Sequence, residues 1–95
     1  MELEFRAEVW FWRGPSPFHF VTVPEGPSGE LQAASALVTY GWGMIPVEVQ
    51  IGSTRWRTSL FPKNGNYLVP LKALVRRSEG IDLGDTVTVR LVVEA

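Results

Sequence analysis

The sequence predicts a small, mainly β domain of the sandwich or closed-barrel type, with two short helices. Three observations predict it. Apolar residues recur with period two in several separate stretches, the mark of strands with one buried face. Clusters of Gly, Pro, Asn and Ser punctuate those stretches at short intervals, as turns do in all-β domains. The chain has 95 residues, 45% of them hydrophobic, with four Trp and five Phe. That is enough for one compact core and too little for two domains. The strand count is six or seven, and no internal repeat, low-complexity segment or interdomain linker interrupts the pattern.

In order along the chain, Leu3, Phe5, Ala7, Val9 and Phe11 alternate with Glu4, Arg6, Glu8, Trp10 and Trp12. This predicts one strand whose outer face turns aromatic at its end. Arg13-Gly14-Pro15-Ser16-Pro17 breaks it, and residues 18–23 resume as a second strand able to form a hairpin with the first. Residues 24–29 form a further breaker cluster. Within it Ser28 reads as the N-cap of a short helix carrying Leu31, Ala33, Ala34, Ala36 and Leu37. Residues 37–40 leave that helix as a short strand, and Gly41-Trp42-Gly43 permits a sharp turn or bulge.

Ile45, Val47, Val49 and Ile51 form the inner face of the next strand, with Pro46 expected at its start or on an edge. Gly52-Ser53 fits a two-residue hairpin turn. On the return strand Thr54, Trp56, Thr58 and Leu60 point one way, and Arg55, Arg57 and Ser59 the other. Residues 61–66 read as a loop and residues 67–69 as a brief strand. Pro70 is placed at the first position of a helix, where its missing N–H costs nothing. Leu71, Leu74, Val75 and Ser78 are its inner face, and Lys72, Arg76 and Glu79 its outer one. Gly80 ends it as a left-handed cap, with Ile81 folding back onto Val75. Gly84-Asp85 then turns the chain into a last strand over residues 86–94, with Val87, Val89, Leu91 and Val93 facing inward.

The formal net charge is -1, but the charge is unevenly placed. Residues 1–48 carry six acids against Arg6 and Arg13, and residues 79–95 carry four acids against Arg90. Between them, residues 49–78 carry six bases and no acid. One sign of charge over such a segment can make a local basic surface on a near-neutral protein. The absence of cysteine removes disulfides, thiolate chemistry and Cys-ligated metals. A single histidine removes a multi-histidine metal site within one chain. The first ten residues lack the basic start and apolar run of a signal peptide, and no apolar run approaches the roughly 20 residues needed to span a bilayer. The expectation is a cytoplasmic protein, monomer or weak homodimer, with no membrane partner, metal or cofactor.

The sharpest candidate site is the basic surface. Arg55 and Arg57 share a strand face, Lys72 and Arg76 share a helix face, and Lys63 lies in the loop between. If they converge, they hold a phosphate, a carboxylate or a nucleic-acid backbone. Trp42, Trp56 and Tyr67 are near in sequence and serve as aromatic walls for a ring or base. The competing reading is a solvated face, with Arg76 and Arg77 placed by the helix dipole and Glu48 paired across the hairpin with an arginine. Trp42 is either a lid over the barrel mouth or a core plug. Trp10 and Trp12 either form an exposed patch for a partner or second copy, or lie beneath the first helix. His19, alone between Phe18 and Phe20, is better explained as a satisfied strand histidine than as a general base. Asp85 is better explained by turn hydrogen bonding than by a cation shared with Asp82.

A resemblance adds to this. Gly41-Trp42-Gly43-Met44-Ile45-Pro46-Val47, Thr58-Ser59-Leu60-Phe61-Pro62-Lys63, Tyr67-Leu68-Val69-Pro70-Leu71-Lys72, Val75-Arg76 and Leu83-Gly84-Asp85-Thr86-Val87 together resemble the bacterial domain of unknown function 1905 (DUF1905). The resemblance spans nearly the whole chain. It implies a closed six-stranded β-barrel with a helix packed at its end. In some relatives the domain is joined to a bacteriocin-resistance-associated segment, which is expected to be absent from a chain that ends at the final strand. The resemblance carries no activity and no catalytic residues. The helix, Gly-Asp turn and strand are also similar to the same unit in swapped-hairpin transition-state-regulator DNA-binding domains, which implies nucleic-acid binding as an alternative.

The function expected is therefore a non-enzymatic binding module. It takes an anionic small ligand or protein segment on Arg55, Arg57, Lys63, Lys72 and Arg76, with Trp42 and Tyr67 as apolar walls. Nucleic-acid binding comes second. An enzyme is least favoured, since no nucleophile motif accompanies the lone histidine.

Overall fold

The computed structural model describes residues 1–38 and 43–93, with side chains for all of these except 36–38. The elements run β1 (Glu2–Glu8), β2 (Trp10–Trp12), β3 (Phe18–Val23), α1 (Glu25–Val38), β4 (Ile45–Ile51), β5 (Thr54–Lys63), β6 (Asn66–Pro70), α2 (Ala73–Glu79) and β7 (Thr86–Val93). The strands form one antiparallel seven-stranded sheet in the order β1-β7-β4-β5-β6-β3-β2, curled as an open half-barrel.

The expected closed six-stranded barrel is corrected by what happens at Val9. The first apolar alternation does not make one strand. Val9 N donates to Asp85 O at 2.8 Å, and Gly84 N donates to Val9 O at 2.9 Å, so the chain is pinned to the turn before β7. On one side of this point β1 pairs with β7; on the other β2 pairs with β3. The stretch that would close a barrel spends its two halves on opposite edges of the sheet. Among the described residues no ladder joins those edges. A second change of partner bends the sheet in its middle. β5 pairs with β4 up to Leu60 and with β6 from Phe61 onward.

The inner face is the one the alternation predicts. β4 and β7 bury every second residue, and Val21, Val23, Val49, Val69, Val89 and Leu91 are fully covered. Burying each such side chain contributes about 1.5–3 kcal/mol. Pro46 lies second in β4, just before Val47, whose pairing with Val93 is the first β4–β7 pair among the described residues, so it stands near the strand's start as expected. The Gly52-Ser53 turn forms as expected between Ile51 and Thr54, with Gly52 at φ 58°.

Several boundaries differ. α1 begins at Glu25 inside the breaker cluster, because Pro27 falls in the first turn, where no N–H is required. Ser28 is thus not the N-cap. Its N–H donates to Pro24 O, and its hydroxyl leaves the helix to donate to Val23 O at 2.9 Å and accept from Tyr67 N at 3.3 Å. Leu37 and Val38 are helical rather than strand, and Thr39, Tyr40, Gly41 and Trp42 lie outside the described residues. The expected loop at 61–66 is instead the end of β5, an Asn64-Gly65 turn with positive φ at both residues, and the start of β6. Such a turn matches the twist of the flanking strands.

Pro70 ends β6 opposite Phe20 rather than opening a helix, and Leu71 N continues the strand by donating to His19 O at 2.9 Å. α2 starts at Ala73 with Lys72 as N-cap. Leu71 and Val75 are buried, but Leu74 is 60% exposed and Ser78 is exposed, so the inner face is narrower than the periodicity suggested. The end of α2 is as read. Gly80 is left-handed, Gly80 N donates to Arg77 O and Ile81 N to Arg76 O, and Ile81 is buried. Among the described residues no helix is long and apolar enough to cross a membrane.

Candidate functional site

Side chains of a strand alternate between faces, so an aromatic residue that misses the core must stand on the other side of the sheet. In this sheet that happens on β2, β3 and β5, and the apolar Leu68 and Pro70 of β6, which lies between β3 and β5, share their face. Across β2 and β3, Trp10 is opposite Phe20 and Trp12 opposite Phe18. Farther along, Phe20 is opposite Pro70, Thr22 opposite Leu68, and Leu68 opposite Phe61 on β5. All of these share the face opposite Val21, Val23 and Val69. Phe20 is the hub. Its ring centroid is 5.5 Å from Trp10, 5.8 Å from Phe18 and 6.2 Å from Phe61, in tilted or edge-on contacts. These are the preferred arrangements of aromatic pairs. Phe18 remains 36% exposed and Phe61 40%.

The two indoles are fixed in place. Trp10 Nε1 donates to Thr22 Oγ1 at 3.0 Å, and Trp12 Nε1 donates to Pro15 O at 3.1 Å. The Trp12 ring lies across the β2–β3 turn directly over Gly14. A Cβ on Gly14 would come within 2.5–2.7 Å of Cζ2, Cε2 and Nε1 of the indole. Lys63 reaches over the same ring, its Nζ 4.2 Å from the ring centroid, a cation–π contact.

Between these walls runs a groove of about 750 Å³. Trp12, Phe18 and Phe20 bound it on one side, Thr58, Ser59, Phe61 and Pro62 on the other, with Leu68 and Pro70 at its base. Among the described residues Lys63 is the one charged group in its lining. The volume lies within the range of small-molecule sites, which are mostly apolar with a few placed polar groups.

A family model described as a domain of unknown function, DUF1905, matches residues 5–91. The chain belongs to this family. The match spans nearly the whole chain, so the groove, both helices and all of the sheet except the start of β1 and the end of β7 fall within it. Among curated proteins none matches the chain.

The cations singled out in the sequence are distributed over this DUF1905 domain as follows. Arg55 and Arg57 stand on the outward face of β5, opposite Gln50 and Glu48 of β4. Arg55 lines a cleft of about 210 Å³ together with Glu2, Glu48, Gln50 and Arg90. In that neighbourhood Arg90 pairs with Glu2 at 3.5 Å and Glu4 at 3.4 Å, both well exposed, so these pairs stabilise little. Lys63 belongs to the aromatic groove. Lys72 caps α2, and Arg76 turns back so that its Nε donates to Leu71 O at 3.3 Å. Arg76 also faces His19. Burial first, and the Arg76 charge second, hold the His19 pKa below its ordinary 6.5. His19 rests edge-on against Phe11 at 4.8 Å, as a packed strand histidine. Trp56 and Tyr67 are 8% and 6% exposed and belong to the core. Trp42 lies outside the described residues. Asp85 closes its own turn, its Oδ2 accepting from Asp82 N at 2.8 Å.

Phe18, Phe20 and Phe61 were not singled out in the sequence, although Trp10 and Trp12 were. A signal for the first two was present. Phe18, Phe20 and Thr22 have the parity opposite to Val21 and Val23, so the second arm of the hairpin also turns aromatic rings outward.

Proposed function

We propose that this domain is a binding module whose groove takes a ligand with a flat aromatic body and an anionic group. The observation that carries the reading is the pairing of an open aromatic groove with a single cation, Lys63. Both indole N–H groups at this face are already spent on Thr22 and Pro15, so what the indoles offer a ligand is ring surface. Lys63 is positioned to leave the Trp12 face for an anion, and Arg57 and Arg55 follow it along the same face of β5. The groove's polar side chains include Ser16, Thr58 and Ser59, but among the described residues no carboxylate or imidazole lines it to serve as a base. That favours binding over catalysis.

The test is ¹H–¹⁵N correlation spectroscopy with naphthalene-2-sulfonate and its uncharged counterpart 2-methylnaphthalene. At about −0.3 kcal/mol per heavy atom, the sulfonate binds with a dissociation constant of roughly 1 mM and the smaller hydrocarbon with one of roughly 4 mM. The indole signals of Trp12 and Trp10 should shift with both probes. Lys63→Gln should weaken the sulfonate several-fold and leave the hydrocarbon unchanged. Shifts confined to Arg55, Lys72 and Arg76, with the Trp12 signal still, would overturn the reading.

A further inference from the structure

We infer that the groove's ligand is single-stranded nucleic acid, with bases stacked on the aromatic face and the phosphate chain drawn along β5. The inference rests on the groove reading above and names its ligand.

Three features point this way. The first is the number and state of the rings. Trp10, Trp12, Phe18, Phe20 and Phe61 occupy one continuous sheet face, more ring surface than one small aromatic molecule covers. Each nucleobase offers a π face, and stacking on aromatic side chains is largely indifferent to base identity. The second feature concerns donors. A proline-rich peptide laid in an aromatic groove presents backbone carbonyls that need N–H partners. Here the two indole donors are held by Pro15 O and Thr22 Oγ1. The groove is built for faces rather than for carbonyls.

The third feature is the order of residues along one face of β5. Alternate residues read Arg55, Arg57, Ser59, Phe61, Lys63, which places cations on either side of an aromatic ring on a line about 26 Å long. No acid lines the groove among the described residues, and the segment 49–78 has none. Glu2 and Glu48 share the cleft with Arg55, so the phosphate chain is strongest held at the Lys63 end. The net charge of -1 then limits affinity without blocking it, because the acids lie away from the groove lining.

The test uses the whole domain and four probes: an octathymidylate, an abasic octamer of the same backbone, thymidine monophosphate and a proline-rich decapeptide. Tryptophan fluorescence and indole chemical shifts are read at 50 and 200 mM salt. The octathymidylate should quench Trp12 and bind at least tenfold tighter than the abasic octamer or the mononucleotide. With one to two phosphates neutralised, its affinity should fall about threefold to sevenfold between the two salts. Lys63→Gln, a surface change, should flatten that salt dependence, and Phe61→Ser should weaken the octamer severalfold with the fold intact by the same spectra. Equal binding of mononucleotide and octamer, equal binding of the abasic chain, or tighter binding of the peptide would each overturn the inference. Naphthalene-2-sulfonate bound in the groove with no response to the octathymidylate overturns the nucleic-acid assignment and leaves the groove reading standing. No response to either probe overturns both.

Discussion

Ser28→Ala removes a hydroxyl that works as a bridge between two strands and a helix. Ser28 is 1% exposed. Its Oγ donates to Val23 O at 2.9 Å and accepts from Tyr67 N at 3.3 Å, tying the start of α1 to β3 and β6. Both partners keep other hydrogen-bonding neighbours when it goes. Val23 O still accepts from Asn66 Nδ2 at 2.9 Å. Tyr67 N–H, which lies opposite Val23 in the β3–β6 ladder, loses its contact with the hydroxyl, and each buried hydrogen bond removed costs about 0.5–1.5 kcal/mol. Alanine recovers about half a kcal/mol of helix propensity. With two such bonds lost, the net expectation is a loss of about 0.5–2.5 kcal/mol, seen as a lower urea midpoint with an unchanged m-value. For a domain of this size each kcal/mol lowers Tm by about 4–8 °C. Ser35→Ala is the internal control. Its hydroxyl donates to Gln32 O at 2.7 Å on the surface of the same helix, so its loss should stay within about 0.5 kcal/mol. Combining Ser28→Ala with Asn66→Ala strips both side-chain donors from Val23 O, so the double variant should exceed the sum of the singles by at least about 0.5 kcal/mol. If Ser28→Ala costs no more than Ser35→Ala, the bridge is not what holds α1 to the sheet and the reasoning fails.

Four further outcomes are expected. Gly14→Ala should push the Trp12 indole off the turn, moving its indole ¹H–¹⁵N signal and weakening naphthalene-2-sulfonate while leaving the signals of the β4–β7 half unchanged; an unmoved Trp12 signal would contradict the close packing seen here. Gly52→Ala places a side chain at φ 58°, costing about 1–2 kcal/mol, and drives it against Glu79, whose Oε2 accepts from Thr54 Oγ1 at 2.5 Å. Urea denaturation should show that cost shrinking when Glu79→Ala is made first. His19 is held below 6.5 in the folded state, so on acidification the unfolded chain takes the proton first. Its contribution to stability is full above pH 6.5 and is lost as pH falls from 6.5 toward the folded pKa. His19→Phe should flatten that window in urea midpoints measured from pH 7.5 to 5.5. Arg76→Gln should raise the His19 pKa only part of the way, by NMR titration, because burial is the larger cause.

Much of the sheet was legible because period two survives wherever one face is buried. β4, the Gly52-Ser53 turn, the Gly80 cap and β7 stand where the alternation and turn chemistry put them. The misreadings share a cause, namely that long-range pairing overrode a local signal. Pro70 is a good helix opener in isolation, but His19 O claims Leu71 N and keeps the strand running past it. Ser28 has the composition of a cap, yet its hydroxyl is worth more between Val23 and Tyr67. The unbroken alternation from Leu3 to Phe11 conceals the break at Val9, because what breaks it is the turn before β7, some 75 residues away in sequence. For the site, the charge run drew attention to five cations, and the structure places one of them, Lys63, in the aromatic groove. The groove itself is a product of parity on strands that become neighbours only through the fold. Trp10 and Trp12 could be seen facing outward, but their company with Phe20 and Phe61 depends on the β2-β3-β6-β5 order.

The split at Val9 also sets a timetable for the newly made chain. β1 is made before every other described strand, yet its sheet partner is Thr86–Val93, the described strand farthest from it along the chain. Until Thr86–Val93 has been made, Leu3 and Phe5 therefore have no ladder to join, while Trp10–Trp12 can already zip onto Phe18–Val23. The aromatic half of the domain can assemble during translation, and the β1–β7–β4 half waits for β7. Long-range closure of that kind is slow. The alternating Glu2, Glu4, Arg6 and Glu8 along the waiting strand give it a charged face, a guard against pairing with another nascent chain in the interval.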